Sequence, residues 1–232
     1  MILQVGSQTI VLSVLFIIFA YLIGSIPFGL VIGKTLTGID VREHGSKNIG
    51  TTNCIRVLGK KVGLLVFFFD CLKGAITIIL VKYIFERNGV MEPLIPHILY
   101  GGAAILGHLK SIYLKFKGGK AVAASLGVVL ALTPVAGICC LIVFFILLVT
   151  TGYVCICSCA AALTVGVVAW LQFGFGYQGN NVFFEYLVGK TDLVLNIAYS
   201  IIIVILIVKH KSNFIRLKNG TENCFKKKKN TL

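Results

Sequence analysis

Charge is scarce in this chain, and acid is scarcest of all. Only 13% of the 232 residues are charged, with eight aspartates and glutamates against 22 lysines and arginines. Soluble domains carry about 25% charged residues, so too few are present to cover a water-facing surface. With 57% hydrophobic residues and a mean hydropathy of +0.95, the chain reads as a polytopic membrane protein. The eight cysteines lack the spacing of metal ligands or of a disulfide framework. Most lie in apolar segments, where a thiol behaves as a small hydrophobe. Cys155, Cys157 and Cys159 are two apart, which on a helix aims them in different directions. Neither a metal nor a cofactor is therefore expected. The first apolar stretch is too long for a signal peptide and has no basic run before it, so it reads as a retained span. A net charge of +14 without a basic domain or an aromatic-interleaved patch excludes a reader of nucleic acid.

Apolar runs over residues 10–32, 62–83, 94–109, 121–132, 134–149, 153–174 and 193–208 predict an all-α membrane protein with seven spans. The fourth and fifth, split by Thr133-Pro134, are either two short spans or a re-entrant pair. Six of the basic residues fall in 33–61, four in 110–120 and eight in 209–232, against Lys82, Arg87 and Lys190 in the opposite loops. By the positive-inside rule the N-terminus is outside and the C-terminus cytoplasmic. Residues 1–232 read as a single integral membrane domain with a basic polar tail from about 209. GSIPFG at residues 24–29 predicts a kink or an end of the first helix at Pro27. Asp70 and Lys73, three apart in the second span, predict an ion pair facing protein or a water-filled cavity.

Hydrogen-bond donors gather on the predicted cytoplasmic face. Residues 45–56 read GSKNIGTTNCIR. The Ser46 hydroxyl, the Asn48 and Asn53 amides, the Arg56 guanidinium and backbone N–H groups freed by Gly45 and Gly50 suit a phosphate. The alternative is a glycine-rich interfacial loop whose cations meet lipid headgroups. If the run after Gly50 begins a helix, Asn53 and Arg56 share a face. In KFKGGK, residues 115–120, Gly118 and Gly119 admit close backbone approach while Lys117 and Lys120 add charge, although juxtamembrane lysines also face lipid. His108 is either a proton carrier or a hydrogen-bonded structural histidine. Ser158 opens the sixth span with Tyr153, and its plainer use is a bond back to a helix carbonyl. In HKSNFIRLKNGTE, residues 210–222, His210 and Asn213 are one turn apart, with Gly220 and Glu222 following.

Together with DCLKG at 70–74, GH at 107–108 and TGYVCICS at 151–158, these stretches resemble the membrane-integral bacterial glycerol-3-phosphate acyltransferases that use an acyl phosphate as donor. The resemblance implies seven membrane helices around a cytoplasm-facing pocket in the bacterial cytoplasmic membrane. It implies transfer of a fatty acyl group from acyl phosphate to the 1-hydroxyl of glycerol 3-phosphate, without a cofactor, the donor being supplied by an acyl-phosphate-forming enzyme. Ser46, Lys120 and His210 are the implied catalytic residues. Asn48, Asn53, Arg56, Gly118, Gly119, Ser158, Asn213 and Glu222 are the implied substrate and phosphate ligands. Ala121 stands where relatives usually have glycine, and Lys110-Ser111 where they have an aromatic-Pro pair. Gly152 and Cys155 replace a basic residue and a serine, whose role passes to Ser158 or to the weaker donor Cys155. None of His44, His97, His108 and His210 has an aspartate five residues on, the pairing used by acyl-CoA-dependent enzymes. That favours proton transfer to the acyl phosphate itself, and covalent catalysis through Ser46 lacks an evident base. A phosphate-ester transporter would place these donors at mid-membrane, whereas the basic glycine loops lie at one face. A structural lipid-binding protein would not need the Asn48, Asn53 and Asn213 amides.

Overall fold

The computed structural model describes residues 7–87, 95–175 and 191–225. Every regular element among them is helical: α1 (Ser7–Ser25), α2 (Phe28–Thr37), α3 (Thr51–Leu58), α4 (Lys60–Lys82), α5 (His97–Leu109), α6 (Val122–Leu132), α7 (Pro134–Thr151), α8 (Val154–Phe175), α9 (Leu193–Lys209) and α10 (Lys211–Lys218). A π turn, Tyr83–Arg87, extends α4. The start of the predicted third span, Leu94, lies outside the described residues, and the helix there begins at His97.

The predicted break at Pro27 is present, and residues 10–32 form parts of two helices instead of one straight span. Proline cannot donate a backbone N–H, so the carbonyls before it need other partners. Ser111 Oγ donates to Ser25 O at 2.6 Å, and Lys73 Nζ donates to Ile26 O at 2.8 Å. Three helices are long and apolar enough to cross a membrane, Lys60–Phe85, Pro134–Thr151 and Val154–Phe175. Two bent pairs, Ile10–Ser25 with Phe28–Thr37 and Leu193–Lys209 with Lys211–Lys218, raise the number to five. With 13 and 11 residues, α5 and α6 reach only about 20 and 16 Å at 1.5 Å per residue, short of the ~30 Å of hydrocarbon.

The chain divides into two compact units, Met1–Leu132 and Thr133–Leu232. In the first, α4 packs against α1, α2, α3, α5 and α6, while α1 also lies on α5. Lipid offers no hydrophobic drive for such pairing, so small residues that admit close van der Waals contact carry it. A Cβ on Gly74 would stand 2.1 Å from the Ala124 carbonyl oxygen between α4 and α6, and one on Gly24 would stand 2.1 Å from that of Ala104 between α1 and α5. A cluster of Ile32, Val41, Ile49, Cys54 and Val66 seats the loop after α2, and Leu114 from the loop after α5 packs on it. In the second unit α7 turns into α8 at Gly152, which takes a φ of +75° and donates its N–H to Leu148 O. Trp170 Nε1 donates to Ser200 Oγ at 3.3 Å between α8 and α9. Asp192 caps α9 by accepting from Leu195 N–H at 2.7 Å.

Candidate functional site

The chain leaves α2 through Gly38 and re-enters helix at Thr51, so the run after Gly50 does begin a helix. What shapes the loop between is the Asn53 side chain, in the first turn of α3 and 1% exposed. Its Nδ2 donates to the carbonyls of Val41 (3.0 Å), His44 (3.1 Å) and Asn48 (2.9 Å). Its Oδ1 accepts from Ser46 N–H at 2.8 Å. Asn53, expected among the phosphate ligands, here has both amide hydrogens committed to backbone. Gly45 is required beside it, because its φ is +59° and a Cβ there would stand 2.4 Å from Asn53 Oδ1. Asn48 Oδ1 accepts from Gly50 N–H at 2.8 Å. Ser46 and Arg56 lie exposed on this scaffold, and Asn48 is half-buried.

Asp40, which belongs to none of the motifs, anchors the start of the loop. Arg42 grips it through two parallel bonds, Nε to Oδ1 at 2.9 Å and Nη2 to Oδ2 at 2.6 Å, and Lys34 Nζ lies 3.1 Å from Oδ2. The guanidinium holds the Asp40 carboxyl well below the usual carboxylate range. This acid is therefore neutralised within the loop. Burial pushes the Cys54 thiol up to about 12, with the Asp70 charge adding to the effect, which removes it as a nucleophile.

The second loop closes over the end of α5. A Cβ on Gly118 would meet His108 O at 2.1 Å, and one on Gly119 would meet His108 Nε2 at 2.3 Å. Gly119 N–H donates to His108 O at 3.1 Å. The N–H expected to meet a phosphate is given to backbone here, and the glycine is needed because the turn lies against the imidazole. Lys120 follows, half-buried, and then Ala121 takes φ +60°, a conformation natural to glycine and costly to a residue with a Cβ. Below the turn the predicted ion pair is formed, Lys73 Nζ lying 2.8 Å from Asp70 Oδ1 with both side chains 2% exposed. His108 Nδ1 lies 3.5 Å from the same Oδ1, longer than a well-formed hydrogen bond. The fold thus gives His108 an aspartate that no sequence spacing showed.

The other expected residues belong to the second unit. His210 is buried at the junction of α9 and α10, and its Nδ1 lies 2.8 Å from Leu206 O. A carbonyl only accepts, so Nδ1 carries the hydrogen. The expected polar tail contains α10, followed by a turn at Gly220 with φ +69°. Glu222 accepts from Asn213 Nδ2 at 2.8 Å and from Arg216 Nε at 2.7 Å. Expected among the substrate ligands, this carboxylate holds Asn213 and Arg216. Phe225 N–H donates to Gly152 O at 2.8 Å, so the 151–158 and 210–222 motifs share one local structure. Ser158 is buried in the first turns of α8.

A family model described as glycerol-3-phosphate acyltransferase matches residues 14–220. The chain is 44% identical over 219 residues to the glycerol-3-phosphate acyltransferase of Acholeplasma laidlawii, covering 92% of this chain and 93% of that one. Its identity to the same-named protein of Macrococcus caseolyticus is 38% over 209 residues, with 90% and 94% covered. Among solved structures it is similar to PlsY (YgiH), an integral membrane glycerol 3-phosphate acyltransferase. The glycerol 3-phosphate form superposes with a TM-score of 0.75 at 34% identity over 92% of this chain and 96% of that one. The lysophosphatidic acid form gives 0.73 at 33% over 92% and 95%.

Proposed function

The chain belongs to the glycerol-3-phosphate acyltransferase family, and from that premise we propose that it moves a fatty acyl group from acyl phosphate to the 1-hydroxyl of glycerol 3-phosphate. The products are 1-acyl-glycerol 3-phosphate and phosphate, the former feeding phospholipid synthesis. We place it in the bacterial cytoplasmic membrane as one domain of seven spans, N-terminus outside and C-terminus inside, with an acyl-phosphate-forming enzyme supplying the donor.

The observation that carries this reading is the loop from Gly38 to Arg56, held open by Asn53, with its Asp40 neutralised by Arg42 and Lys34. Such a loop meets an anion with many donors, Asp40 being paired and the exposed Glu43 the other acid in it. Both proposed substrates carry phosphate. Ser46, Asn48 and Arg56 on this loop, Gly118 and Lys120 on the next, and Ser158, His210 and Asn213 in the second unit are the residues assigned to bind them. Asn53, Gly119 and Glu222 act on these through backbone and side-chain contacts. Cationic and N–H donors offset repulsion between two anions and stabilise charge developing on the phosphate, while binding both holds the hydroxyl near the acyl carbon. The hydroxyl oxygen bonds to that carbon, the acyl carbon to phosphate-oxygen bond breaks, and the departing phosphate leaves with the hydroxyl proton. An acyl phosphate is already activated, so no covalent enzyme intermediate is required.

Purified protein should release phosphate from palmitoyl phosphate only when glycerol 3-phosphate is present, and should turn over palmitoyl-CoA poorly. Equal turnover of the two donors would refute the donor assignment.

A further inference from the structure

Three buried ionisable residues lie between the break at Pro27 and the glycine turn before Lys120, and the chemistry above uses none of them. Lys73 Nζ donates to Ile26 O, lies 5.6 Å from the centre of the Phe28 ring and pairs with Asp70. Asp70 faces His108 Nδ1. The opposite edge of that imidazole, at Nε2, stands against Gly119 more closely than any residue with a Cβ would allow. The backbone of His108 receives the Gly119 N–H. The ring, 4% exposed, is therefore clamped between a carboxylate and the turn that delivers Lys120.

We propose that His108, oriented by Asp70 and Lys73, is a positioning residue that sets where Lys120 meets a substrate phosphate. It touches no substrate. Two features of the site follow from this arrangement. Gly118 is needed because the turn rests on the His108–Leu109 backbone and Gly119 because it rests on the imidazole, and the buried ion pair is retained in an apolar helix because its carboxylate faces that imidazole. The proposal rests on the reading of Lys120 as a phosphate ligand, and a double-mutant cycle tests the two separately.

Lys120→Ala should raise the KM for one phosphorylated substrate by about tenfold or more. His108→Asn keeps an amide toward Asp70 but loses the ring edge under Gly119. It should raise the same KM, and not that of the other substrate, by a comparable factor with a smaller change in kcat. In the double variant the losses should not multiply: KM should stay within about twofold of Lys120→Ala alone. Gly119→Ala, which drives a Cβ into Nε2 with the histidine intact, should give the same pattern and the same non-additivity, and serves if His108→Asn does not insert. Multiplicative losses in these cycles, or a KM effect on the other substrate, would overturn the positioning role. Unchanged KM values in Lys120→Ala itself would instead overturn the phosphate-ligand reading beneath it.

Discussion

Removing the Asn53 amide should unfasten the first loop. Asn53→Ala deletes four hydrogen bonds. The Val41 carbonyl sits in a fully buried residue and would lose its amide donor, at a cost of about 2 kcal/mol. The groups of His44, Ser46 and Asn48 are part-buried and rehydrate, costing about 0.5 kcal/mol each. The sum, about 3 to 4 kcal/mol, is a large fraction of an ordinary folding free energy. Asn53→Asp should be worse still: its carboxylate can accept from Ser46 N–H but faces three carbonyl oxygens without a hydrogen to give. A direct phosphate ligand would behave otherwise, since either change would abolish activity and leave the fold intact. Thermal unfolding in detergent and amide exchange over residues 41–50, measured beside kcat/KM, separate the two. Stability falling in the order Asn, Ala, Asp supports the scaffold role, and two fully stable inactive variants would refute it.

Arg56→Lys keeps the charge and loses the two-pronged grip, so it should raise the KM for one phosphorylated substrate about tenfold, or ~1.4 kcal/mol, while unchanged KM values for both would remove Arg56 from the site. Ala121→Gly relieves a φ of +60° and should stabilise the protein by about 1 kcal/mol in the same unfolding assay; a comparable loss would mean that the buried methyl outweighs the backbone strain. The folded pKa of Asp40 lies below its ordinary 3.8, so its stabilising contribution is complete above that pH and is lost as pH falls below it. Amide exchange at residues 40–46 should quicken on acidification through that range, and Asp40→Asn should abolish the change; an identical acid response in Asp40→Asn would assign it to another group.

A proline in GSIPFG breaks a helix because it has no N–H to give, and the Asp70–Lys73 pair follows from a three-residue spacing on one helix face, so both are legible in the sequence. The donor-rich loop is legible for the same local reason. What each donor does is not. The Asn53 amide has the same groups whether it binds a phosphate or three carbonyls, and only the return of the loop past α3 decides. The nearness of Asp70 to His108 depends on how α4 packs against α5, which no spacing encodes. The helix Lys211–Lys218 leaves little trace in the sequence because its eight residues are mostly polar and too few to show a helical period. The short third and fourth runs are the hardest part of the span count to read, since α5 and α6 have the composition of spans but only 13 and 11 residues.

The partners of the Ser25 and Ile26 carbonyls also set an order of events during synthesis. Lys73 is 47 residues downstream of Ile26, and Ser111 is 86 downstream of Ser25. At about 5 to 20 residues per second the ribosome needs roughly 4 to 17 s to deliver Ser111 after Ser25. Through that interval the Ser25 carbonyl lacks its hydroxyl donor, and until Lys73 is made the Ile26 carbonyl has only the neighbouring Phe28 N–H at 3.1 Å; in bare hydrocarbon an unmet carbonyl costs several kcal/mol. The bend between α1 and α2 is thus expected to wait at the aqueous boundary until α4 arrives. A nascent chain arrested before Lys73 should leave a cysteine placed at residue 26 open to a water-soluble maleimide, and one arrested beyond Ser111 should close it.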